Sequence, residues 1–97
     1  MDVYQELAAE VRSGCPGGSI ETMLLAELDA GYSDFTVSCV GEDGHVQSGD
    51  VSDEASWRIH QLLTQLQAEF RDKTGHAWRK CTFTVFPSGK FKFDVEY

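Results

Sequence analysis

Three cysteines, three histidines and a large excess of carboxylates are the side chains through which this chain could do chemistry. Cys15, Cys39 and Cys81 form no C-x-x-C pair, and their odd number favours free thiols in a reducing compartment, a bond between neighbouring strands being the alternative. Cys15 stands in the turn Cys15-Pro16-Gly17-Gly18, where a nucleophile would be accessible. To attack, it would need an activating base or a depressed pKa, and nothing beside it in sequence supplies either. Cys15 is therefore expected to be a loop cysteine. His45, His60 and His76 stand about fifteen residues apart, without the paired spacing of a zinc ligand set. H-E-x-x-H, EF-hand, G-x-x-x-x-G-K-[ST] and G-x-S-x-G motifs are all missing. No Asp or Glu stands two residues before a lysine, the spacing common in metal-dependent nucleases. No metal, cofactor or catalytic residue is expected, and the chain has the profile of a binder.

The carboxylates are unevenly placed. Residues 1–57 hold twelve of them against Arg12 alone, a net of −11, whereas residues 58–97 carry +3, giving −8 in all. Nucleic acids and anionic membranes demand a basic footprint, so both are excluded as partners. A basic protein fits, because a negative field steers it into contact. No apolar run approaches the roughly 20 residues that span a bilayer, and the N-terminus lacks the basic and apolar regions of a signal peptide. The expected location is the cytoplasm.

The elements that position these groups follow from periodicity. Residues 2–12 place Val3, Leu7, Ala8 and Val11 at helical spacing, with Asp2 at the start and Arg12 at the end to suit the helix dipole. Ile20 to Leu28 alternates as a strand, with Ile20, Thr22, Leu24, Ala26 and Leu28 on one face and Met23 and Leu25 on the other. Asp29-Ala30-Gly31 is expected to turn the chain into a second strand, Asp34 to Val40, with Phe35, Val37 and Cys39 inward. Asp43-Gly44 signals a hairpin to a short third strand, His45 to Gln47. Ser52 then caps a long helix whose Ala55, Ile59, Leu62, Leu63, Leu66 and Phe70 fall within roughly a 100° stripe, ended by Gly75. Trp57 lies opposite that stripe.

Residues Trp78 to Tyr97 form a hairpin about Pro87-Ser88-Gly89. Cys81, Phe83 and Val85 alternate with polar residues before the turn; Phe91, Phe93, Val95 and Tyr97 alternate with Lys90, Lys92, Asp94 and Glu96 after it. Gly89 supplies the left-handed position of a short hairpin with a bulge. Ninety-seven residues make one domain, residues 1–97. The expected fold class is α+β, in the order α-β-β-β-α-β-β, with an antiparallel sheet of about five strands and two helices packed on it.

The C-terminal half also resembles a known family. A helix of the form L-x-x-L-x-x-x-F, a polar gap, a Trp, a strand, S-G-K-F and a terminal aromatic recur in the YezG-like family of bacterial immunity proteins. Here the matching residues are Leu62-Leu63-Thr64-Gln65-Leu66 through Phe70, Trp78, Phe83, Ser88-Gly89-Lys90-Phe91 and Tyr97, over residues 59–97. Such proteins protect a cell from the toxin domains of secreted polymorphic or contact-dependent toxins, often nucleases. The resemblance implies tight stoichiometric binding to a toxin domain, with no catalysis by the immunity protein. The chain itself is expected to be a monomer or weak homodimer. A nuclease domain must be basic to hold phosphates, which makes an acidic inhibitor its complement.

The expected contact site gathers Asp29, Asp34, Asp50, Asp53 and Glu54 at one end of the sheet, with Trp57 one helical turn away. An aromatic anchor beside desolvated charge is the usual make-up of an interface hot spot. The outward face of the hairpin at Lys92, Asp94 and Glu96 is the second candidate surface. The competing reading of function is a small acidic adaptor or binding module for another protein partner.

Overall fold

The structure, a computed structural model, describes residues 2–29 and 32–97. The order is α1 (Val3–Arg12), β1 (Glu21–Asp29), β2 (Tyr32–Val40), β3 (Val46–Ser48), α2 (Asp53–Thr74), β4 (Lys80–Val85) and β5 (Phe91–Glu96). The five strands form one antiparallel sheet in the order β3-β2-β1-β4-β5, the α+β arrangement expected from periodicity. β2 begins at Tyr32, before the apolar pattern starts, because the ladder continues through Leu28↔Ser33 and Asp29↔Tyr32. Ile20 was expected inward; it precedes β1 and is 43% exposed, whereas Thr22, Leu24, Ala26 and Leu28 are buried. Ala30 and Gly31, the expected turn, lie outside the described residues.

Both helices begin with a side chain that satisfies an orphan backbone donor. The Asp2 carboxylate accepts from the Gln5 amide at 2.9 Å, while the Gln5 side chain accepts from the Asp2 amide. Ser52 accepts from the Ala55 amide at 3.1 Å, and Asp53 and Glu54 occupy the first turn of α2, where the helix dipole favours them. At the far end Gly75 takes φ +82° and its amide reaches the Arg71 carbonyl. α2 carries the chain from the β3 edge back across the sheet, so that β4 is laid beside β1.

The stripe of α2 is buried as its spacing required. Ile59, Leu62, Leu63 and Leu66 pack with Leu7 and Val11 of α1 onto Leu24, Ala26, Val37, Phe83 and Val85. Each such side chain contributes roughly 1.5–3 kcal/mol by leaving water. At the β5 side the core is aromatic. Phe93 meets Tyr4, Phe70, Trp78 and Phe83 edge-on, with centroids 5.6 to 5.9 Å apart. Phe91 stacks on Tyr4 at 5.0 Å. The glutamine of α2's third turn from the end, Gln67, donates to the Trp78 carbonyl at 2.8 Å and holds the chain entering β4.

The β4–β5 turn is closed by Phe86 N–H to the Lys90 carbonyl and Gly89 N–H to the Phe86 carbonyl, both 2.9 Å. Gly89 has φ +89° with open space around it, so its requirement is purely conformational. Gly89→Val is expected to cost on the order of 1–3 kcal/mol, from backbone strain alone. Thermal unfolding of the variant checks this, and an unchanged midpoint would show that the turn tolerates a β-branched residue.

Candidate functional site

The cysteines come out differently from expectation. Cys15 and Cys39 form a disulfide, with Cα atoms 5.6 Å apart, so these two are not free thiols. Packing behind α1 explains the correction. The Asp50 amide donates to the Gly14 carbonyl at 2.9 Å, pinning the loop after α1 onto the link from β3 to α2. Gly49 makes this approach possible, because a Cβ there would lie 2.7 Å from a Val37 methyl. The loop thus delivers Cys15 to the inward side of β2, where Cys39 points. Cys81 remains a free thiol, buried among the core side chains. Burial pushes it up to about 12, opposed weakly by a hydrogen bond involving the Ala26 backbone. Neither environment holds a thiolate.

His60 and Ser33 form a pair of another kind. The Ser33 hydroxyl lies 2.6 Å from His60 Nδ1, joining β2 to α2. The Trp57 ring stacks on the His60 ring at 5.5 Å and is 62% exposed. The Ser33–His60 bond fixes the imidazole on which the tryptophan rests, so the ring is held in position on the surface. Among the described residues no cluster of three or more His, Cys, Asp or Glu could hold a metal.

The expected carboxylate site is spread along the β2 flank. Asp29 and Asp34 belong to the β1–β2 hairpin end, Asp29 pairing with Tyr32 and Asp34 with Glu27. β3 pairs only with Ser38 to Val40, and the Gly49 amide then reaches the Val37 carbonyl. The chain therefore leaves β3 halfway along β2, and Asp50 comes beside Thr36, lining the same hollow as Ser56 of α2. Asp53 and Glu54 follow in the first turn of α2, with Trp57 next along the helix. All five carboxylates are exposed.

Glu27 and Lys80, which sequence reasoning left out, stand on the sheet face opposite the helices, beside Asp34 of the expected site and Glu96 of the second candidate surface. Register places Asp34, Glu27, Lys80 and Glu96 in one row across β2, β1, β4 and β5. The next row is Thr36, Leu25, Thr82 and Asp94. The signal was present as strict alternation: in β1 and β5 these are the residues between the inward apolar ones. What sequence could not give was the strand order that lines them up.

A family model described as "Immunity protein YezG-like" matches residues 39–97, beginning within β2 and so well before residue 59. No curated protein matches the chain in sequence.

Two stability measurements test this account of the cysteines. Closing a loop with a sequence separation of 24 constrains the unfolded chain. Its loss is expected to cost about 3 kcal/mol, or roughly 10–20 °C in melting midpoint. A reductant or the Cys15→Ser, Cys39→Ser pair should produce the same fall; a midpoint indifferent to both would show that the bridge constrains nothing. The second concerns alkaline pH. Because the folded form keeps the Cys81 proton from its ordinary 9.0 up to about 12, this contribution is complete below pH 9 and is lost as pH rises through that window. Cys81→Ala should flatten this part of the stability–pH curve relative to the wild type. An identical alkaline slope in both proteins would contradict it.

Proposed function

Because the chain belongs to the YezG-like immunity protein family, we propose that it neutralises a basic, nuclease-type toxin domain by one-to-one binding through its acidic surface, without catalysing any reaction. The observation that supports this most is the distribution of charge: the nine carboxylates between Arg12 and Arg58 have no cation among them in sequence. Those of Asp29, Asp34, Asp50, Asp53 and Glu54 are exposed rather than spent on the core. A domain that cleaves nucleic acid must concentrate cations to hold phosphates, and an acidic inhibitor is attracted to that same patch. Trp57 supplies the apolar anchor that charge alone lacks, since aromatic rings held in place lose little entropy on docking.

The site of action in this reading is the cytoplasm, where an incoming toxin meets its target; no helix among the described residues is long and apolar enough to cross a membrane. Reduction of the Cys15–Cys39 bridge in that compartment would leave α1 held by Leu7 and Val11 in the core. The Arg58–Glu6 ion pair at 2.9 Å adds little, because both side chains are solvated.

The test uses a toxin domain encoded beside this chain, disabled by substitution of its own active site, with binding followed by surface kinetics. Asp29→Lys, Asp34→Lys and Asp50→Lys combined should slow association by about tenfold to a hundredfold at low salt. Trp57→Ala should instead speed dissociation by about tenfold or more. Wild-type rates in both variants would remove this surface from the interface, and failure of the wild type to bind or to protect cells would end the immunity reading.

A further inference from the structure

Both helices pack on one face of the sheet, and the other face is open. It is curved into a hollow of about 490 Å³ spanning β2 to β5. Leu25, 45% exposed, forms its floor with Thr36 and Thr82, and Glu27, Asp34, Asp94 and Glu96 form its walls. We propose that this open face is a second contact surface, which receives a protruding lysine- or arginine-bearing segment of the toxin domain. The inference rests on the immunity reading and names a surface distinct from the Trp57 flank.

Charge and register together carry the argument. Glu27 and Asp34 are direct cross-strand partners on this face, an arrangement of like charges that destabilises a sheet. Among the described residues none of Glu27, Asp34, Asp94 and Glu96 makes an ion pair. Lys80 stands in the row between Glu27 and Glu96, so four wall carboxylates face one wall cation. Lys92 is further along, opposite Thr84. The hollow is wide enough for a guanidinium or ammonium with its aliphatic stem, and Leu25 offers that stem an apolar surface. Phosphate groups would be repelled by the same walls, which excludes nucleic acid and anionic lipid as occupants. Asp34 lies where this face meets the β2 flank, so one basic partner can cover both.

Two matched variants separate this surface from bulk charge. Glu27→Lys with Asp94→Lys changes the net charge as much as Glu10→Lys with Asp72→Lys on the helices. With the disabled toxin domain as probe, the open-face pair should weaken binding about tenfold or more, and the helix pair about twofold. Equal weakening by both pairs would reduce the effect to net charge and overturn the proposal, as would wild-type binding by the open-face pair. If the open-face pair fails to fold, Glu27→Gln with Asp94→Asn replaces it, with the same direction expected. A further readout is Asp34→Asn, which should raise the melting midpoint of the free protein while weakening the complex; a midpoint that falls contradicts the like-charge argument. If the wild type binds no toxin domain the immunity reading fails too, whereas binding that survives the open-face variants and is lost in Trp57→Ala fails this proposal alone.

Discussion

The fold depends on the rings gathered around Phe93. This side chain sits on an edge strand, yet it touches a ring from α1 (Tyr4), one from α2 (Phe70), one from the entry to β4 (Trp78) and one from β4 itself (Phe83). A two-strand hairpin is marginal in water, and β5 has only β4 as a partner in the sheet. What holds β5 in place is the set of edge-to-face contacts, each contributing about 0.5–1.5 kcal/mol beyond the area it buries. Trp78 shows how strongly ring burial dominates here. Among the described residues its indole N–H is buried without a partner, a cost of about 1–3 kcal/mol. Complete burial of a ring of roughly 200 Å² returns about 5 kcal/mol, so the indole stays in the core.

That commitment makes the sheet one-sided. Every large aromatic residue of β4 and β5 faces the helices, which leaves the intervening positions to polar and charged side chains. Alternation then converts a packing requirement into a patterned surface. Because the strands are in antiparallel register, residues far apart in sequence, such as Asp34 and Glu96, fall into one row. The proposed binding surface is thus a by-product of where the core had to be.

Much of this was legible in the sequence for a physical reason: α2, the β4–β5 hairpin and the inward faces each obey a single local period. The left-handed Gly75 and Gly89 are likewise local requirements. The Cys15–Cys39 bridge was not legible, since it depends on a loop crossing a distant link at Gly49, and nothing at either cysteine signals the other. Asp50 was expected near the start of β2; the shortness of β3 puts it beside Thr36 instead. Glu27 and Asp94 were visible as outward residues, but their meaning as opposite walls of one hollow required the order β2-β1-β4-β5.

The remaining question is why a small fold keeps like charges side by side. A stability of roughly 5–10 kcal/mol leaves little room, yet a directly opposed carboxylate pair costs only about 0.2–1 kcal/mol in water. Steering by a concentrated negative field, in contrast, raises association rates by about ten- to a thousandfold. For an inhibitor that must reach its target before damage is done, speed of capture outweighs a fraction of a kilocalorie in the free protein. In the proposed complex the same charges would pair with a cationic partner, and the repulsion between Glu27 and Asp34 in the free state would be relieved by binding. In the proposed interface, stability and recognition are opposed at this row of the sheet, and the aromatic core on the other face supplies the margin that permits it.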